Sequence, residues 1–192
     1  MHCNEMTPAD RPIAALPDER EPAQIRLLNR HDIAGFRMLR LAMLADAPSA
    51  FGASPDDEAV LNEDAWAARI GPDDNTAMFG AFAGQRLVGS VGLVRQRPAK
   101  MRHKALIWGV FVDPTARGQS LARRLMQTMI AHARALPQVR QVSLSVTSSN
   151  AHARALYESL GFVQYGHEPD ALYVDGEWFD EQQMVLRFTS AA

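Results

Sequence analysis

VFVDPTARGQSLARRLM, Val110 to Met126, carries the chain from the end of an apolar run into a helical pattern. The run before it, ALIWGVFV from Ala105 to Val112, has the length and composition of a buried strand. Asp113 and Pro114 turn the chain, and a helix begins within Arg117 to Leu121. The first amides of a helix have no internal partner, and the helix dipole adds positive potential there. That end therefore suits a phosphate or pyrophosphate. Gly118 lets the backbone approach a ligand, and Arg117, Arg123 and Arg124 bring cations to the same turn. Spacing alone leaves two readings open, an anion site or a capped helix with a solvated basic face.

Working outward, Ser120 to Leu136 reads as a helix with Leu121, Leu125, Met129 and Ile130 on its apolar face, closed by Pro137. Val139 to Val146 alternates like a strand, and a second helix from Ala151 to Leu160 stops at Gly161. Upstream, Ala77–Ala83 and Arg86–Arg95 form a hairpin across Gly84-Gln85, followed by a basic loop from Arg95 to Lys104. Before them lie a short strand, Gln24–Leu28, and a helix capped by Asp32 that runs to Ala45. The segment from Pro48 to Gly71 becomes helical, with Ser54 and Asp57 at capping-box spacing and Pro55 at the first position. The Asp56-Asp57-Glu58 run fits the positive end of that helix, with attraction of amines as the rival reading. The tail offers strands at Phe162–Tyr165, Leu172–Val174 and Gln183–Phe188.

This order predicts an α/β domain, a mixed sheet with helices on both faces. The unit from Ala105 to Val146 should be a right-handed parallel crossover, with ligands at the carboxyl ends of its strands. Residues 1–22, with four prolines among acidic and small residues, read as a flexible leader, and 23–192 as one domain.

The 192 residues are 47% hydrophobic with a net charge of −2, enough for a core and without the basic excess of a phosphate-neutralising nucleic-acid binder. Cys3 stands alone, so no intrachain disulfide can form, and no His/Cys cluster has metal-ligand spacing. No secretory signal or membrane-length apolar run is present, which makes a cytoplasmic setting the expectation.

The turn Arg117-Gly118-Gln119-Ser120-Leu121-Ala122, after Val112-Asp113-Pro114, resembles the hallmark of the GCN5-related N-acetyltransferase superfamily, Arg/Gln-x-x-Gly-x-Gly/Ala. Asn150 to Phe162, NAHARALYESLGF, is similar to that family's second signature. The two stand in the right order, and the resemblance covers roughly Ala77 to Phe188. It implies a twisted, mostly antiparallel sheet with a central parallel βαβ unit, binding acetyl-CoA and passing its acetyl group directly to an amine. Backbone groups of Val110, Phe111 and Val112 would hold the acetyl and pantetheine part like an added strand, one amide polarising the thioester carbonyl. Amides of Gly118, Gln119, Ser120, Leu121, Ala122 and Arg123, beside Arg117, would hold the pyrophosphate, and Asn150 would contact the pantetheine arm. Tyr157 would lie near the sulfur and protonate or hydrogen-bond the departing thiolate; read from its spacing with Ala153 and Leu160, it is equally an aromatic core anchor.

Ser120 replaces the usual glycine of the turn, a departure expected to narrow the pocket and lower affinity. Relatives that acetylate ribosomal-protein N-termini carry a glutamate five residues before the signature asparagine, and Ser145 stands there. His103, Asp180, Glu181 or a water chain remain as proton acceptors. Trp66, Trp108 and Trp178 read as packing residues, Trp178 in a late loop that could face the acceptor, and Phe51-Gly52 as a second substrate wall. The acceptor implied is a small molecule (an amino acid, a polyamine or an amine-bearing antibiotic) more than a protein amine, entering from the opposite side of the sheet. No metal, nucleic acid or membrane partner is expected, and a homodimer stays open. The alternative is a non-catalytic acyl-CoA-binding or regulatory module; a nucleotide-phosphate enzyme would need a P-loop lysine that the turn lacks.

Overall fold

A computed structural model describes residues 23–188 except 72 and 74; the leader and Cys3 lie outside the described residues. Seven strands form one sheet: β1 (Gln24–Leu27), β2 (Thr76–Ala83), β3 (Arg86–Arg95), β4 (Lys104–Val112), β5 (Gln141–Thr147), β6 (Val163–Val174) and β7 (Glu177–Arg187). Their order is β1-β2-β3-β4-β5-β7-β6, antiparallel throughout except for the parallel pair β4–β5. The hairpin between β2 and β3 turns on Gly84, whose φ of 58° suits the tight two-residue connection.

Five α-helices cover the sheet: α1 (Ile33–Asp46), α2 (Pro55–Ala59), α3 (Glu63–Ile70), α4 (Leu121–Ala135) and α5 (Ala151–Ser159). On one face, Leu121, Leu125, Met126 and Met129 of α4 and Tyr157 of α5 pack on Val91, Ile107, Val142 and Leu144. On the other, Phe36, Leu39 and Met43 of α1 and Trp66 and Ile70 of α3 pack on Met78, Phe82 and Phe111. Side chains alternate across each strand, so one apolar strand feeds both layers. The doubly covered mixed sheet expected from the element order is present.

Two local expectations need correction. The helical stretch before β2 is two helices, because Val60 to Asn62 interrupts it and Asn62 caps α3 through its side chain to Ala65 N. The expected capping box is real: Ser54 and Asp57 exchange both bonds at the start of α2. Glu58 stands in the first turn with Asp56 and Asp57, as expected, and is 1% exposed and held by Arg40 and Arg69. In the tail, Phe162–Tyr165 and Leu172–Val174 belong to one long strand, β6, with register shifts in its pairing to β7, where Gln183 to Arg187 also lie. Asp175 and Gly176, both at positive φ, close that hairpin.

Candidate active site

The parallel pairing of β4 and β5 covers Lys104 to Leu106 against Gln141 to Ser143 and then stops. Both strands run on, β4 still paired to β3 and β5 still paired to β7. The sheet therefore parts in its middle, leaving main-chain groups of Ile107 to Val112 and Leu144 to Thr147 without each other. Unpaired backbone N–H and C=O groups inside a sheet call for a partner. The split is a cavity of about 260 Å³ lined from β4, β5, α1, α5 and the loop after α1.

A bulge shapes the β4 side. Ser90 faces Phe111 and Gly92 faces Trp108, so one residue of β3 lies opposite two of β4, Gly109 and Val110. Gly109 takes φ of 60°, and the Ser90 hydroxyl donates to its carbonyl at 3.0 Å. The extra residue shifts the alternation: Ile107 packs in the α4–α5 layer and Trp108 beside the α1–α3 layer, yet Val110 and Val112 return to the first while Phe111 joins the second. Val110 lines the cavity; Phe111 and Val112 are buried and bound to β3.

At the carboxyl end of β4, Asp113 caps the turn through Thr115 N, and α4 starts at Leu121. Gly118 adopts φ of 81° with open space where a Cβ would project. Ser120 is left-handed as well, at φ 56°, and its side chain does not cap the helix. The turn imposes on Ser120 the conformation that glycine prefers, at a cost of about 1–2 kcal/mol. No acceptor among the described residues takes the amides of Gly118 to Arg123, the first in-helix bond being Arg124 N to Ser120 O. The cations are less free than expected. Arg117 is ion-paired to Asp46 and donates to Val112 O, Arg123 bonds the Ser159 hydroxyl, and Arg124 bonds Ala23 O. The donors that this turn leaves free for an anion are thus its amides.

Tyr157 lies on α5 against the cavity, 7% exposed, with its phenol pushed up to about 12 by burial. Its hydroxyl makes no hydrogen bond with another described residue, and the ring packs beside Phe162. Asn150 caps α5 by accepting from Ala153 N at 3.1 Å, and its side chain also borders the cavity.

Among the suggested proton acceptors, Glu181 is the one coupled to this cavity. Ser145, a lining residue, lies diagonally across the β5–β7 pairing from Glu181, the residue opposite Thr147. Burial and nearby Glu168 push the Glu181 carboxyl up, the neighbouring Ser145 hydroxyl opposing them. Asp180 is exposed and held low by Asp170 N and His167, serving the β6–β7 hairpin. His103 sits before β4, its carbonyl accepting from Arg140 N and Gln141 N, and does not line the cavity.

The opposite wall includes Phe51, Gly52, Trp108 and Arg40. Trp66 is core, as expected; Trp178 is 62% exposed on β7, stacked with Tyr173 at 4.4 Å, and does not line the cavity. Sequence reasoning missed Gly109 and Arg40. Gly109 carried a signal, a glycine inside an apolar strand; Arg40, in a helical pattern, carried none. Among the described residues no cluster suits a metal ion, and no helix is long and apolar enough to cross a membrane.

Residues 37–162 match the profile of the acetyltransferase (GNAT) family, and the chain belongs to that family. It is 25% identical over 96 residues to a spermidine N(1)-acetyltransferase of Vibrio cholerae, covering 50% of this chain and 56% of that protein. It is 32% identical over 127 residues to a mycothiol acetyltransferase of Geodermatophilus obscurus, covering 65% of this chain and 41% of that one. The match thus spans about half or less of these relatives. Its fold superposes on an acetyltransferase from Salmonella typhimurium solved with acetyl-CoA, at TM-score 0.73, 21% identity, and 90% and 97% coverage of the two chains.

Proposed function

We propose that this protein transfers the acetyl group of acetyl-CoA directly to the primary amine of a small molecule. One observation carries the reading: the sheet opens beside a turn of unpaired amides, with a buried phenol facing the opening. Those features fit acetyl-CoA part by part. The amides of Gly118 to Arg123 would take the pyrophosphate, and the free edges of β4 and β5, with Asn150, the amide-bearing pantetheine arm. Bound there, acetyl-CoA supplies an activated thioester.

The remaining chemistry falls to this chain. The bulged main chain at Val110 would offer an amide to the thioester oxygen, where negative charge grows during attack. Tyr157 stays protonated at neutral pH. With the phenol near 12 and a thiol reference near 8.5, full proton transfer would be uphill by roughly 5 kcal/mol. Its role is therefore a hydrogen bond to the departing sulfur. Glu181, its carboxyl raised above the ordinary carboxylate value by burial, would accept the amine proton through Ser145, restoring from β7 a carboxylate that β5 lacks.

Isothermal titration calorimetry with acetyl-CoA, and with ATP and NADH as controls, is the first test, followed by thiol release in the presence of amines. Selective saturable binding with amine-dependent thiol release is expected. A folded sample that does not bind acetyl-CoA would sink the proposal. Binding without turnover on any amine would favour the acyl-CoA-binding module instead.

A further inference from the structure

The wall opposite Tyr157 carries a cation that none of the proposed steps uses. Arg40 reaches from α1 to the cavity and is the one Asp, Glu, Lys or Arg among its lining residues. Its side chain is 7% exposed. Nε and Nη2 donate to Glu58 Oε1 at 3.2 and 3.0 Å, and Nη1 meets the sulfur of Met43 at 3.1 Å. A guanidinium has five N–H donors; three are used, so two have no acceptor among the described residues.

Glu58 does not balance this charge alone. It also takes both of its contacts from Arg69, at 2.6 Å to each oxygen. Two cations therefore share one carboxylate, leaving an excess positive charge beside the cavity. The guanidinium is held in place by Phe51 and Trp108, whose ring centroids lie 5.5 and 5.8 Å from its carbon. The Trp108 indole N–H, in the same wall, is buried without an acceptor among the described residues. Buried donors and an uncompensated cation are costly unless an anion meets them.

We propose that this wall selects the acceptor: an amino-acid-type molecule, whose short carbon skeleton carries a carboxylate as well as the reacting amine. The inference rests on the acetyltransferase reading of the same cleft. The carboxylate would meet the free donors of Arg40, a charge-assisted contact suited to the planar guanidinium. The ammonium would lie toward Ser145 and neighbouring Glu181, so the two walls match the two ends of a zwitterion. A polycation would bring like charge against Arg40, and the cavity of about 260 Å³ must also admit the acetyl end, so a small acceptor is required.

The test uses the full chain with acetyl-CoA and matched acceptors: amino acids of different amine-to-carboxylate spacing, the carboxamide of each, and spermidine. Thiol release gives kcat/KM, and mass spectrometry identifies the product. At least one amino acid should exceed its carboxamide by about tenfold or more, the scale of a hydrogen bond to a charged group. That ratio should collapse toward one in Arg40→Gln and fall less in Arg40→Lys, with thermal melts verifying folding. If Arg40→Gln does not fold, the wild-type acid-to-amide ratio decides alone. Preference for carboxamides or spermidine overturns this inference and leaves the acetyltransferase reading standing, as does a ratio unchanged in a folded Arg40→Gln. No acetyl-CoA binding and no transfer to any acceptor overturns both readings, and so does binding with no transfer.

Discussion

On the α4–α5 side of the cleft the open groups are largely main chain: the freed edges of β4 and β5, and the unpaired amides of Gly118 to Arg123 beyond the end of β4. On the α1–α3 side they are side chains, Arg40, Phe51 and Trp108, brought together from different elements. The first wall is made by a turn and depends on backbone conformation at Gly109, Gly118 and Ser120. The second depends on packing and on a buried charge network centred on Glu58. A ligand common to many proteins can be held by backbone, which every sequence supplies; a particular ligand needs particular side chains.

The sharpest way to break the second wall is Glu58→Gln. It removes the sole carboxylate between two arginines and should destabilise the fold by about 3–5 kcal/mol. Thermal unfolding would report a fall of roughly 6–20 °C for a chain of this size. A change within a few tenths of a kcal/mol would mean that the network is dispensable and that the contrast between the walls is overstated.

Tyr157→Phe tests the first wall at its chemical end. We expect kcat to fall about 10²-fold or more, with acetyl-CoA affinity measured by calorimetry nearly unchanged. Equal losses in both would assign the tyrosine to packing.

For Glu181, pH separates two roles. Its folded value is raised, so protonation is favoured in the folded state and stability falls as pH rises through the window between the unfolded value and the higher folded one. Glu181→Gln should therefore be more stable than the parent at neutral pH and should flatten the decline in urea stability across that window. If Glu181 also accepts the amine proton, kcat/KM should rise along a limb displaced above the ordinary carboxylate range, and the substitution should abolish that limb. A stability effect without a kinetic one would confine the residue to structure.

The smallest effect is expected at Ser120. Ser120→Gly relieves the left-handed strain and should stabilise by about 1 kcal/mol, or roughly 2–4 °C in the melt. A gain in acetyl-CoA affinity beyond that would mean that the hydroxymethyl group intrudes on the pyrophosphate turn; loss of stability would contradict the strain assigned here.

Legibility in the sequence followed this same division. The apolar strand from Ala105, the turn at Asp113-Pro114 and the start of α4 are contiguous, so chain order alone set their arrangement. Capping at Ser54 and the Gly84-Gln85 hairpin could be read for the same reason, since each uses residues at most a few positions apart. The break between α2 and α3 was missed because its asparagine cap sits within an otherwise helical pattern. The two long C-terminal strands were seen in pieces because irregular pairing interrupts their alternation.

By itself the sequence determined the mixed sheet, the position of the turn and the placement of Tyr157 and Asn150 one strand and one turn further on. Short-range periodicity and backbone sterics suffice for these. Only the tertiary structure decided where β4 and β5 part, that Gly109 reverses the facing of Val110 and Phe111, and that Ser145 meets Glu181. It alone joined Arg40 to Glu58, eighteen positions away, and brought Arg40 to the cleft wall. Those relations depend on strand register, on burial and on which helices share a face, quantities defined between segments and fixed when the core packs.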